Sequence, residues 1–154
     1  MTRPVVVSGG RCTEHRPQEE YDGLFAEFLA PFASDEAVVY VGGASGIDSL
    51  ALAWLVANTG ARAVVAAPGT VSGQPEEAQA TIAAALAHES RVEVVELHHP
   101  DFPSAAAYHS RNRWMVDRAG LLVAFPRGDD PSSGTWYTVG YAADRGLPRV
   151  IVPI

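Results

Sequence analysis

The chain has 154 residues, 47% of them hydrophobic and 19% charged, with a formal charge of −7 and an isoelectric point near 5.1. That length suits one domain, 1–154, with a real core, and the balance is that of a soluble globular protein. An acidic chain is a poor general binder of nucleic acid, because phosphate contacts need basic groups, so nucleic acid stays open only as a disfavoured partner. All eleven basic residues are arginine, so any anion contact here uses a planar, forked guanidinium. Cys12 is the only cysteine, which forbids an intrachain disulfide and points to a reducing compartment. The opening "MTRPVVVSGG" has too short an apolar run for a signal peptide, and no stretch approaches the roughly 18 apolar residues of a membrane span. A cytoplasmic location with no membrane partner is the expectation.

In chain order, "PVVVS" (4–8) reads as a buried strand ending at Gly9-Gly10. "PQEEYDGLFAEFLAPF" (17–32) carries Tyr21, Leu24, Phe25, Phe28, Leu29 and Phe32 at the spacing of one helical face. Pro17 suits its first turn, and Glu19 and Glu20 favour its N-terminus. "AVVYV" (37–41) is the second strand, and 46–60 the second helix, with Gly60 expected as its C-cap. Strands at 62–68, 92–97, 121–126 and 149–154 alternate with helices at 75–90, 104–120 (ending at Gly120) and 132–146. The strands are continuous apolar runs, as a parallel sheet covered on both faces requires. The expected fold is therefore α/β, a three-layer doubly wound, mostly parallel sheet of about six strands.

In such sheets ligands bind beyond the carboxyl ends of the strands. Three strand-to-helix turns carry special composition: "SGGRCT" (8–13), "GGASGID" (42–48) and "DDPSSGT" (129–135). Glycine lets backbone approach a ligand closely, and a helix N-terminus exposes unpaired N–H groups that favour phosphate. Gly9, Gly10 and Arg11 mark the first turn. Gly42, Gly43 and Gly46 can form an N–H-lined cup, with Ser45 adding a hydroxyl. The same glycines equally suit a plain tight turn, since the spacing is neither GxGxxG nor a Walker A loop. Asp48 either satisfies backbone donors at the helix start or accepts from a ribose hydroxyl.

Arg111 and Arg113 sit two apart, so on a helix they point in different directions; one contacts phosphate, or both make surface ion pairs. Ser132, Ser133, Gly134 and Thr135 can N-cap the next helix or hold a phosphate. Trp136 and Tyr137 offer rings for stacking on a base, or pack between helices. Cys12 lies near His15, a conceivable nucleophile pair that reads better as a bystander thiol. His98 and His99 alternate faces on a strand and make poor joint metal ligands, so no metal site is expected. Asp48 and Glu14 are the candidates near the turns for general acid–base work. Trp54 and Trp114 read as core residues.

Taken together, "GGASGIDSLALA" (42–53), "YHSRNRWMVDRAGLLVAF" (108–125) and "SSGTWYTVGYAADRGLPRVIVP" (132–153) resemble three ordered motifs of the DNA-processing protein A (DprA/Smf) family. "VVVSGGRCT" fits that family's opening strand and turn. This family and the Lonely Guy phosphoribohydrolases share the broader SLOG superfamily of Rossmann-like domains. The resemblance implies a pocket over the glycine turns, bound to a nucleotide or a nucleotide derivative with no further cofactor, and a homodimer. Two rival functions follow from it: N-glycosidic cleavage of a nucleotide, and single-stranded DNA binding in DNA processing. Against the Lonely Guy motif PGGxGTxxE, this chain reads "PSSGTWYT", so Thr138 stands where the catalytic glutamate would be. Nucleotide binding by a stand-alone domain is the leading expectation.

Overall fold

The computed structural model describes residues 3–88 and 91–154. Six strands, β1 (Val5–Gly9), β2 (Val38–Val41), β3 (Arg62–Ala67), β4 (Val92–Glu96), β5 (Leu121–Phe125) and β6 (Arg149–Ile151), form one sheet in the order β4-β3-β2-β1-β5-β6. Every neighbouring pair is parallel. Five helices, α1 (Gln18–Phe28), α2 (Ile47–Asn58), α3 (Glu76–His88), α4 (Ala105–Asp117) and α5 (Gly134–Asp144), link the strands.

The expected three-layer architecture is present. Its strands are apolar throughout because both faces are covered. In β1, Val5 and Val7 join the core under α1 and α2, while Val6 joins the core under α4 and α5. In β5, Val123 and Phe125 face the first core, Leu122 and Ala124 the second. Tyr21, Phe25, Ile47, Leu52 and Leu55 fill the first side at 2% exposure or less. Among the described residues no helix is long and apolar enough to cross a membrane.

Several element ends differ from the sequence reading, each for a local reason. Helix α1 stops at Phe28 rather than running to residue 32, and a 3-10 turn (Ala30–Phe32) follows. Pro31 has no N–H for the carbonyl four residues back, so the α-helix cannot pass it. Gly60 is not the cap of α2. Thr59 takes that position in extended backbone, its N–H and Oγ1 both bonding the Leu55 carbonyl at 3.0 and 2.8 Å. Gly60 instead sits where a Cβ would collide with the Asp35 carboxylate. Helix α4 ends at Asp117, three residues before Gly120, whose N–H is committed to the Pro4 carbonyl at 2.8 Å. The last two residues expected for the third helix, 89 and 90, lie outside the described ones. Trp54 is buried at 8% exposure, but Trp114 lies only half-buried at the edge of the second core.

Candidate functional site

Strand order reverses between β1 and β5, and at such a switch point two crossovers leave in opposite directions and open a crevice. A cavity of about 220 Å³ sits there, lined by the carboxyl end of β1 and by the start of α5, the helix that follows β5. Its floor is Val7, Ser8 and Met115; its walls are the first glycine turn, Ala44 and Asp48 from the second turn, the inner face of α4, and the start of α5.

The first two glycine turns are fastened to each other. The Ile47 N–H donates to the Gly10 carbonyl at 3.0 Å. Gly46, with φ +79°, lies against the Gly10 and Arg11 carbonyls so closely that no side chain fits between them. A Cβ on Gly9 would stand 2.5 Å from the Ile47 side chain. These glycines let two backbones touch, and the touching closes one side of the cavity.

Arg111 is the best-held charge in the site, at 4% exposure. Its Nε donates to Asn112 Oδ1 at 2.8 Å, and its Nη1 donates to the Ala66 carbonyl at 3.1 Å and to the Gly42 carbonyl. The guanidinium thus ties α4 to the ends of β2 and β3. Asp48 stands beside it, 8% exposed, its Oδ2 accepting the Ala44 N–H at 3.2 Å. A Cβ on Gly42 would meet both Arg111 Nη1 and Asp48 Oδ2 at 2.6 Å, so Gly42 makes room for the pair. Burial raises the Asp48 carboxyl above its ordinary value, against the pull of Arg111 and the Ala44 amide. Burial likewise lowers Arg111, whose ordinary value is so high that it stays cationic.

Arg11 is the exposed counterpart, at the rim with its guanidinium 4.4 Å above the Tyr108 ring. On the far wall Ser133 caps α5, its Oγ accepting the Trp136 N–H at 3.3 Å. The amides of Gly134 and Thr135, in the helix's first turn, have no partner within the helix and lend it partial positive charge. Two guanidiniums and one carboxylate leave the cavity net positive within a chain of charge −7. Locally, the site favours an anion.

Of the residues singled out from sequence, Gly9, Gly10, Arg11, Asp48, Arg111, Ser133, Gly134 and Thr135 line this one cavity. Gly42 lies directly behind it, under Arg111. Gly43, Ser45 and Gly46 do not line it. Gly43, at φ +69°, faces Val65 and Ile82 across the first core, so the second turn is no N–H cup around the cavity. Arg113 points away, donating to the Tyr137 hydroxyl at 2.6 Å on the α4–α5 surface. Tyr137 stacks on His109 at 3.8 Å, and Trp136 Nε1 donates to the Gly128 carbonyl at 2.8 Å. Glu14 borders a separate surface groove with Glu77 and Thr81. Thr138 is sealed, its Oγ1 bonded to the Gly134 carbonyl at 2.8 Å, which leaves Asp48 as the only acid among the lining residues. Tyr108, Asn112, Ala44 and Ser8 line the cavity without having been singled out as site residues. Tyr108 stands three residues before Arg111, and that helical spacing is the signal that places both on one face.

A sequence model of the family described as DNA recombination-mediator protein A matches residues 5–154. No curated protein matches the chain. Among solved structures, DNA processing protein A from Helicobacter pylori, studied for its single-stranded DNA binding mode, is similar at a TM-score of 0.70 and 18% identity. The match covers 99% of this chain and 66% of that one, so this chain spans about two thirds of its length and shares its fold. With the family match running from β1 to the last residue, the chain belongs to the DNA recombination-mediator protein A family, a family of DNA processing.

Proposed function

We propose that this chain binds single-stranded DNA and seats one phosphate-bearing nucleotide unit in the cavity between β1 and β5. The observation that carries the reading is the convergence of Arg11, Arg111 and the N-terminus of α5 on one small, net-positive cavity of an acidic chain. Arg11 is the phosphate contact, because Arg111 already spends its Nη1 and Nε on internal acceptors. Tyr108 is the stacking surface: once Arg11 turns to the phosphate, its ring is free for a base, worth about 1–3 kcal/mol. At about 220 Å³ the space suits a single sugar-phosphate unit rather than a dinucleotide. Membership of a DNA-processing family, and a fold neighbour that binds single strands, favour the polymer over the free mononucleotide as the guest.

Fluorescence anisotropy with a labelled oligothymidylate tests this, with a salt titration and AMP as competitor. One or two neutralised phosphates give a log–log salt slope of about −0.7 to −1.4. Arg11→Ala and Tyr108→Ala should each weaken binding by roughly 5- to 30-fold without changing the fold. No retention of the oligonucleotide at low salt would overturn the reading. AMP that raises the melting temperature while the oligonucleotide fails to compete would replace it with mononucleotide binding.

A further inference from the structure

Aromatic rings in this fold pack mostly edge to face. Phe25 and Phe125 meet at 85°, Tyr40 and Trp114 at 71°, and Phe102 and Tyr108 at 69°. On the surface shared by α4 and α5 the geometry changes. The Tyr137 ring lies 3.8 Å from the His109 ring at 9°, and the Tyr141 ring continues at 13° with its centroid 6.5 Å on. Tyr137 belongs to neither core; α5 packs inward through Val139 and Ala142 instead. Burial and then Arg113 hold the His109 imidazole below its ordinary 6.5, so at neutral pH it backs Tyr137 as an uncharged ring. Arg113 reaches the end of the stack, its Nη1 donating to the Tyr137 hydroxyl at 2.6 Å. No carboxylate pairs with Arg113 among the described residues. Asp117, one turn on, is held by Arg145 at 3.5 Å and by the Tyr141 hydroxyl at 2.6 Å.

We propose that His109, Tyr137 and Arg113 form a second nucleotide subsite, where a neighbouring base of the bound strand stacks on the parallel rings and Arg113 holds its phosphate. This rests on single-strand binding at the cavity and extends it. The position fits a continuing strand. His109 follows Tyr108 on α4, Tyr137 stands two residues beyond Thr135 on α5, and both Tyr108 and Thr135 line the cavity. Asn112 Nδ2 donates to the Gly134 carbonyl at 3.5 Å, fastening the two helices beside the cavity. The chemistry selects a nucleotide over an apolar partner. Flat rings accept any base through its π-face, and a guanidinium without a carboxylate answers a phosphate. An apolar side chain docked here would strip water from Arg113 and return nothing.

Fluorescence anisotropy with a labelled ten-nucleotide oligothymidylate tests this in a double-variant cycle. Tyr137→Leu, which keeps apolar bulk between the helices, should weaken binding by about 5- to 30-fold, and Tyr137→Phe, which keeps the ring, by less than about 3-fold. Combined with Tyr108→Ala, the Tyr137→Leu loss should multiply, as for two rings that hold two different bases. Arg113→Gln should make the log–log salt slope shallower by about 0.7. With 5-iodouracil in the oligonucleotide, ultraviolet crosslinks should fall on Tyr137 or His109 as well as on Tyr108. A Tyr137→Leu protein that binds as wild type, a double variant no weaker than Tyr108→Ala alone, or crosslinks confined to Tyr108 overturns the subsite and leaves the cavity reading standing; the rings then serve helix packing only. Losses at Tyr137 with none at Arg11 or Tyr108 support this surface and overturn the cavity reading instead. No binding of the oligonucleotide at low salt overturns both.

Discussion

Replacing Arg111 with methionine separates a structural guanidinium from a ligand contact. Methionine keeps much of the stem but removes every donor. The Gly42 and Ala66 carbonyls and Asn112 Oδ1 then lose their partner, and Asp48 is left buried without its neighbouring cation. Stranding a buried carboxylate and three hydrogen-bond acceptors in this way costs about 3–5 kcal/mol. Against a total stability of about 5–15 kcal/mol that is a large fraction. At ~2–4 °C per kcal/mol for a chain of this size, the melting temperature should drop by roughly 6–20 °C. Thermal unfolding followed by circular dichroism reads this directly, with urea titration as the equilibrium check. Adding Asp48→Asn to the Arg111→Met protein should recover about 1–2 kcal/mol, because the stranded charge is gone. Arg11→Ala, at an exposed position, should stay within about 0.5 kcal/mol of wild type. An Arg111→Met protein melting within about 2 °C of wild type would refute the reasoning, since a well-satisfied buried guanidinium cannot be removed at no cost.

Gly46→Ala should destabilise by more than about 3 kcal/mol, because its left-handed backbone and the clash with the Gly10 and Arg11 carbonyls act together. Gly128→Ala, also left-handed at φ +74° but facing open space, should cost only about 1 kcal/mol; equal losses in urea titration would mean that contact between the turns contributes nothing. His109 gives a pH signature. Burial, and then Arg113, hold its imidazole below the ordinary value of 6.5. The unfolded chain therefore takes up this proton first, so its contribution is complete above pH 6.5 and is lost as pH falls through the lower native value. His109→Phe keeps a ring against Tyr137 but cannot titrate. Its melting temperature should gain on wild type between about pH 7.5 and pH 5, and parallel curves would show that the ring does not titrate in that window.

The sheet was legible because its signal is redundant. Runs such as Val5-Val6-Val7 and Leu121–Phe125 feed two cores at once, and no other arrangement buries every residue of such a run. Turn composition pointed to the edge of the sheet where the cavity lies: Gly9 ends β1, and Arg11, Asp48 and Ser133 follow strand ends. Side-chain direction was not legible. Arg111 and Arg113 differ in sequence by two positions and in fate by a whole helix face, one buried under Gly42 and one bonded to Tyr137. Glycine spacing also did not separate Gly43, which faces Val65 and Ile82 in the first core, or Gly46, which serves chain-to-chain approach, from the glycines that line the cavity. Composition alone cannot tell a glycine needed by a ligand from one needed by another strand of backbone. Net charge could not show the local balance either, since a sum over the chain says nothing about three groups gathered in one cleft.

The cleft is stitched from distant stretches of chain: residues 7–11 and 44–48 on one side, 108–115 and 133–135 on the other. Arg111 reaches back across 69 and 45 positions to its carbonyls. During synthesis, then, the cavity is complete only once α5 has emerged, however well the first strands have already assembled. A bound strand would in turn draw on the whole molecule, so occupancy should slow global unfolding and not merely quieten a loop. Resistance to protease, followed with and without oligonucleotide, becomes a gauge of how completely the newborn protein has closed.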